Sequence, residues 1–463
     1  MPERPRHIIW ITTDHMRFDC IRAHGNPAMH TPNIDRLVNN GVSFHNCFVN
    51  NPLCMPSRAS FMTGCYPQAT GVQKNGQELR PDFEPVVAKE FKAAGYRTLQ
   101  VGKLHFQCHE DHDLDPRARH DYGFDVLQLS EEPGCYEDAY RTWLRGEHPD
   151  WVETFTVPRS VAPDRRLEAQ TFRTLDAPWE LSHSGWVAEQ ACRHLEPLRQ
   201  PNSFPPLFLH LGFYAPHPPL NPTREMMEPY RDLELPPPLR RKGDPRDLRQ
   251  FSDETLTEYR RHFYGMITGV DLALGKILRQ LEDLEILDQT LIVFSSDHGD
   301  ACGDHGRVAK GPTYLEGIIK MPLIFHWPAG FGTQARIEPG LFEMVDLLPT
   351  LVELVGKPLN PAFQGRSIAT ELLQGSDIPG RPDVYGYHGD GDIYLRDHRW
   401  KYIAYLREDS LEEFLFDLEN DPGEFTNLAG SPDQRDQLEK MRLRALQRST
   451  RASQSPLPRR LRY

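Results

Sequence analysis

Ile8-Ile9-Trp10-Ile11-Thr12-Thr13-Asp14-His15 decides the fold class. Its first six residues are apolar or β-branched without alternation, as in a strand buried on both faces, and a carboxylate and an imidazole follow at its carboxyl end. The same grammar recurs along the chain. A strand over 96–101 runs into Gly102-Lys103-Leu104-His105, a strand is predicted at 207–213, and one at 290–295 runs into Asp297-His298-Gly299-Asp300. Helical patterns at 85–94, 184–198 and 254–285 alternate with these strands, which is the rhythm of an α/β fold. In such sheets ligands collect outside the carboxyl ends of the strands, where the polar clusters fall. Two further helix starts are legible. Thr31-Pro32 supplies an N-cap and an N1 proline for a helix through Leu37-Val38 that Gly41 stops. Pro56 fits the first turn of a helix through Phe61 and Met62, placing Cys54 just before an amino end that favours a developing anion.

At 463 residues the chain can bury one large core plus a smaller appended domain. Beyond about residue 375, Gly/Asp/Pro turns alternate with strand patterns at 392–395, 400–405 and 414–418, and a helix is predicted over 433–447. This divides the chain into a catalytic domain at 1–375, a small antiparallel α+β unit at 376–440 and a basic tail at 441–463. That tail carries seven arginines and no acid, and it motivates an arm on a neighbouring subunit in a homo-oligomer. Residues 107–180, rich in charge, proline and aromatics, read as long excursions walling a pocket. A formal charge of −13 argues against nucleic acid as a partner. No apolar stretch of about 20 residues predicts a membrane span, and the amino-terminal stretch lacks a secretory pattern, so a cytoplasmic chain is expected. The eight cysteines are scattered and predict no disulfide framework.

Asp14, Asp297 and His298 are the metal candidates, because residues at the ends of different strands can converge and the aspartates supply hard oxygen donors. His15 is either a further ligand or an orienting donor; an imidazole there moves the site from Ca²⁺ toward Mn²⁺. From residue type alone, Cys54 reads as an inert core cysteine or as a thiolate nucleophile activated by Arg58 and a helix terminus. Lys103 after a strand, Lys310 in a Gly-rich loop and His217 within Pro216-His217-Pro218-Pro219 are candidate site groups, as is Asn75 in an Asn-Gly turn. Cys108, His109, Asp111, His112 and Asp113 have no paired metal spacing and read as loop. His305, Arg307, His388 and Asp390 are candidates for the substrate opening. Trp400 and Tyr402 read as core of the small sheet.

The segment Cys54-Met55-Pro56-Ser57-Arg58-Ala59-Ser60-Phe61-Met62-Thr63-Gly64 resembles the sulfatase modification motif, Cys-x-Pro-Ser-Arg followed by Thr-Gly. Further blocks in family order extend the resemblance over essentially the whole chain: residues 13–19 and 31–37, Gly102-Lys103-Leu104-His105, Ala215-Pro216-His217-Pro218-Pro219, Ser296-Asp297-His298-Gly299-Asp300, and 418–428. The chain is thus similar to type I formylglycine-dependent sulfatases and to the related choline sulfatases and phosphonate monoester hydrolases. The resemblance implies an alkaline-phosphatase-like α/β fold with a mixed central sheet and a smaller carboxyl-terminal domain. It implies that a maturation enzyme oxidises Cys54 to formylglycine (3-oxoalanine), and that one divalent metal, Ca²⁺ or Mn²⁺, is held by Asp14, His15, Asp297 and His298. Family members often have Asp or Gln where this chain has His15. Arg58 then supports the modified residue, Lys103 and His105 lie beside the sulfate, His217 and Lys310 serve the leaving group, and Asn75 binds a peripheral sulfate oxygen. The expected substrate is a small-molecule or saccharide sulfate ester. A phosphonate monoesterase or phosphodiesterase using the same site is the alternative, followed by a silent sulfated-glycan binding protein.

Overall fold

The computed structural model describes residues 4–108, 119–132, 137–156, 172–200, 204–244, 251–311, 313–389 and 391–454. His109, Asp111, His112, Asp113, Cys135, Asp390, Arg459 and Arg460 lie outside them. In chain order the main sheet is formed by β1 (His7–Thr13), β2 (Val42–Phe48), β3 (Arg97–Gly102), β4 (Val126–Leu129), β5 (Leu207–Gly212), β6 (Thr290–Ser296), β7 (Lys320–Met321), β8 (Leu323–His326) and β9 (Arg336–Glu343). Their order is β4-β3-β5-β1-β6-β8-β2-β7, with β9 also paired to β2.

Four neighbours in that order, β3, β5, β1 and β6, are mutually parallel, so the segments after them leave one edge of the sheet side by side. Strand β8 runs antiparallel to β6 and β2 antiparallel to β8. Two reversals restore the sense of β6, and β2 therefore delivers residues 49–54 to that same edge. The edge is drawn tight where β3 meets β5. Gly102 pairs with Gly212, and a Cβ on Gly102, at φ +84°, would stand 2.1 Å from the Gly212 carbonyl oxygen. Only glycine admits that approach, from which Lys103 departs with its amide on Gly212 O at 2.8 Å.

The strands are buried throughout β1, β5 and β6, as their largely apolar runs require; in β5 the buried His210 interrupts the run and meets the Thr12 hydroxyl at 3.1 Å. One apolar cluster packs Ile8, Trp10 and Phe208 with Phe61 and Met62 of the Cys54–Thr63 helix; the other packs Ile9, Ile11 and Leu209 against the long Asp253–Asp283 helix.

Thr31 does not cap the Pro32–Asn39 helix by its side chain. Its hydroxyl donates to Asp35 Oδ1 at 3.0 Å, and the free amides of Asn33 and Ile34 donate instead to Asp271 Oδ1 at 2.9 and 2.8 Å. The cap comes from the middle of the long helix, 237 residues away from Ile34.

The second sheet is antiparallel, β10 (Val384–His388), β11 (Asp392–Arg396), β12 (Trp400–Arg407) and β13 (Ser410–Asp417) in sequential order. Trp400 is half-buried and Tyr402 buried among its residues, packed with Tyr385, Leu395, Leu415 and Leu438, Met441 and Ala445 of the Arg435–Ala452 helix. That helix crosses the boundary expected at residue 440. Its arginines engage this chain's own acids: Arg442 meets Glu413 at 2.7 Å, Arg444 meets Asp383 and Asp397 at 2.8 and 2.7 Å, and Arg448 meets Asp383 and Glu343. Strand β10 is tied to the turn before Cys54, with the Tyr387 amide on Asn50 O at 2.9 Å and Asn51 Nδ2 on Tyr387 O at 2.6 Å. Among the described residues no helix is long and apolar enough to cross a membrane.

Candidate active site

The Cys54–Thr63 helix begins at Cys54 itself, one residue earlier than the proline pattern suggests, and Leu53 holds the extended N-cap position. All ten of its residues are buried. Cys54 Sγ lies 3.3 Å from His298 Nε2 and 3.7 Å from Asp14 Oδ1, and Lys310 Nζ donates to the sulfur. Lys310 Nζ is also 3.1 Å from His298 Nε2. Cys54, Asp14, His15 and His298 can each offer one donor atom within 4.8 Å of the others, and all four are buried.

Arg58, fully buried one helical turn beyond Cys54, points its Nε at Asp297 Oδ2 over 2.7 Å and donates from Nη1 to the Lys103 carbonyl at 2.9 Å. Lys103 in turn sets its Nζ 2.8 Å from Asp14 Oδ2, with both side chains at 0% exposure. Asp297 Oδ1 accepts the amides of His298 and His15 at 2.8 and 3.3 Å. The ring of His15 packs edge-on against those of His217 and His298, at centroid separations of 4.4 and 4.5 Å. His217 presents Nδ1 to the Pro218 carbonyl at 2.5 Å. Asn75 is exposed, and its Oδ1 accepts the Met55 amide at 3.2 Å. His105 is buried in left-handed backbone (φ 59°), its amide on Glu131 Oε1 at 2.9 Å.

The electrostatics are those of a cationic pocket around two carboxylates. Burial by itself would raise the Asp14 carboxyl, but the nearby Lys103 and Lys310 ammonium groups hold it well below the usual range. Burial, reinforced by Lys310 and His298, lowers His15, so the ring is neutral. The Cys54 thiol is pushed up to about 11 by burial and Asp14, against the pull of Lys310 and Lys103. Against a thiolate made available by Arg58 and the helix end, one of the readings open from sequence, stand the desolvation of a 1%-exposed sulfur and the nearby Asp14 carboxylate, which outweigh the two lysines.

Direct contacts thus unite Asp14, His15, Cys54, Arg58, Lys103, Asp297, His298 and Lys310; His217 joins through His15, and Asn75 through Met55. His305 is drawn elsewhere, its Nδ1 to Asp244 Oδ2 at 2.5 Å and its ring against Phe425. His388 is buried beside Asp392. Three contributors went unassigned in the sequence. Asp300 accepts His15 Nδ1 at 2.8 Å, Tyr214 lies beneath Lys103 Nζ at 5.7 Å from its ring centroid, and Glu131 fixes the turn carrying His105. Only Asp300, in the polar run after β6, left a signal that could have been followed.

A family model described as Sulfatase matches residues 6–357, and one described as N-sulphoglucosamine sulphohydrolase, C-terminal, matches residues 303–451. The chain is 28% identical over 467 residues to an arylsulfatase of Clostridium perfringens, covering 94% of this chain and 92% of that protein. It is 30% identical over 432 residues to a choline-sulfatase of Rhizobium meliloti, covering 87% of this chain and 78% of that protein. Among solved structures, the phosphonate monoester hydrolase of Agrobacterium radiobacter superposes with a TM-score of 0.81 at 24% identity, covering 97% of this chain and 96% of that one. The last likeness speaks for the fold.

Proposed function

This chain belongs to the sulfatase family, enzymes of sulfuric ester hydrolysis, and from that premise we propose that it cleaves an aryl or carbohydrate sulfate ester with a formylglycine derived from Cys54 and one divalent metal. The observation that carries the reading is the contact of Cys54 with Asp14, His298 and Lys310 in a buried pocket. The donor set fits a metal. His15 Nε2 is buried with no hydrogen-bond partner among the described residues, 3.7 Å from Asp14 Oδ1, and the carboxylates suit either Ca²⁺ or Mn²⁺, with the imidazole nitrogens better tolerated by Mn²⁺. Asp14, His15, Asp297 and His298 would hold the ion. When present, the hydrated aldehyde supplies one oxygen to attack sulfur and a second whose deprotonation releases sulfate, while the ion supplies positive charge to that chemistry.

The remaining roles belong to the chain's own side chains. Arg58 fixes Asp297 and the Lys103 carbonyl, which orients the pocket floor. Lys103 and Lys310 neutralise the sulfonate oxygens and the departing alkoxide, the costly charges in breaking an ester of a basic alcohol. His217, its Nδ1 on the Pro218 carbonyl, turns Nε2 to the leaving-group side, and the Lys310 ammonium gives the departing alkoxide its proton. His105 takes the proton whose loss frees sulfate. Asn75, whose oxygen is occupied by Met55, has its amide nitrogen to donate to a peripheral sulfate oxygen. The balance is ester plus water giving alcohol plus sulfate.

The test compares kcat/KM for a matched aryl sulfate and aryl phosphonate ester, alongside the intact mass of the Cys54 peptide. A preference for the sulfate and a peptide carrying the aldehyde support the reading. A much larger kcat/KM for the phosphonate would move the assignment to phosphonate hydrolysis. Persistent thiol in protein made with a competent maturation system, with no turnover, would sink it.

A further inference from the structure

Behind the His15 ring stands a buried carboxylate to which no role has yet been given. Asp300, at 0% exposure, meets His15 Nδ1 with Oδ2 at 2.8 Å. Two other donors already converge on that carboxylate: the Tyr259 hydroxyl on Oδ2 at 3.0 Å and the Cys302 amide on Oδ1 at 2.7 Å. Both of its oxygens already accept a donor, and taking the contact with His15 in the same sense places the ring proton on Nδ1 and the lone pair on Nε2. The ring cannot rotate out of this orientation, because His217 and His298 pack edge-on against it. Its Nε2 then confronts Asp14 Oδ1 over 3.7 Å. Two acceptors facing each other at that separation in a buried pocket repel unless a cation lies between them.

Resting on the metal reading proposed above, we infer that Asp300, backed by Tyr259, is a positioning residue that commits His15 Nε2 to the metal, and that the resulting pair of imidazoles, His15 and His298, makes the site prefer Mn²⁺ to Ca²⁺. A carboxylate behind a ligating histidine fixes its tautomer and orientation and raises its basicity, and losing such a partner typically weakens metal binding about 10- to 100-fold. Ca²⁺ is bound by oxygen, whereas Mn²⁺, a first-row transition ion, accepts imidazole nitrogen beside carboxylate.

The experiment uses the full chain, stripped of metal and titrated with Mn²⁺ or Ca²⁺ alone. Pulsed EPR on protein labelled with ¹⁵N-histidine counts the imidazoles bound to Mn²⁺. The wild type should show two nitrogen couplings and His15→Gln one, with a smaller Mn²⁺ over Ca²⁺ preference in the variant. Asp300→Asn should weaken Mn²⁺ roughly 10- to 100-fold and Ca²⁺ much less; Tyr259→Phe should act in the same direction more mildly, and it serves if Asp300→Asn does not fold. A single coupling in the wild type overturns the inference while leaving the metal reading intact. So does unchanged Mn²⁺ affinity in both folded variants. Failure of both ions to bind the wild type overturns the metal reading and this inference with it.

Discussion

Replacing Arg58 by Met tests whether the pocket is built around an ion pair that metal can partly stand in for. Arg58 and Asp297 are both at 0% exposure with Nε 2.7 Å from Oδ2, and Arg58 Nη2 is 3.9 Å from Asp14 Oδ2. At an effective dielectric of about 20, the first pair is worth roughly 6 kcal/mol before desolvation. Removing one member of a buried pair costs about 3–5 kcal/mol net, since the other charge is left uncompensated. Metal-free Arg58→Met should therefore lose about 3–5 kcal/mol by chemical denaturation. A divalent ion placed on Asp14 and Asp297 neutralises the same carboxylates, so the loss should shrink at saturating Mn²⁺, and the stabilisation by metal should be larger in the variant than in the wild type. Denaturant midpoints and slopes, with and without metal, give both numbers. A metal-free loss below about 1 kcal/mol, or an equal loss in both conditions, would refute the argument that Arg58 holds an otherwise uncompensated carboxylate.

Other expectations concern parts remote from the reacting atoms. Asp271→Ala removes the acceptor for the Asn33 and Ile34 amides and should cost about 1–3 kcal/mol, read as a lower denaturant midpoint with kcat/KM unchanged. Arg448→Ala strips a partner from Glu343, which is fully buried; about 3–5 kcal/mol should be lost, and hydrogen exchange should rise first in the Arg435–Ala452 helix. Asp138, which accepts the Arg141 amide and the Ser130 hydroxyl at 2.7 Å each, is raised by burial to about 7 from an ordinary 3.8. A raised acid favours the folded state while protonated, so its contribution is complete below about pH 4 and is lost as pH climbs through 7. Wild type should lose up to roughly 4 kcal/mol across that window that Asp138→Asn does not; parallel pH profiles for the two would discard the assignment.

The parallel half of the main sheet was legible because β1, β5 and β6 are buried on both faces and are written as largely apolar runs, and because β3, though broken by Gln100, ends in the polar cluster at Lys103. The other half was not. Strand β2 interrupts its run with the half-buried His45 and Asn46, β8 is only four residues long, and β9 carries Pro339, Gly340 and the buried Glu338 and Glu343. Gly386 hid β10 in the same way. The site groups at strand ends could be picked out one by one, since a polar cluster after an apolar run is a local signal. Their partners could not. Asp300 meets His15 across 285 positions and Asp271 caps a helix from 237 positions away, and neither pairing leaves a periodic or compositional trace.

The fold and the chemistry constrain each other most closely at Cys54. Double reversal through β8 and β2 brings the start of its helix to the edge where β3, β5, β1 and β6 end, so the residue is ringed by groups from distant segments. Among those groups its thiol is held up at about 11, which starves a thiolate mechanism near neutral pH of its reactive form. Lys103 and Lys310 nonetheless surround the residue with positive charge that an uncharged thiol does not need. The mismatch is resolved if the mature group at position 54 is neutral at rest and gathers negative charge only as it reacts, because preorganised cations then act on the transition state more than on the ground state. A hydrated aldehyde meets that requirement. The formylglycine reading of Cys54 therefore places those cations where the charge develops.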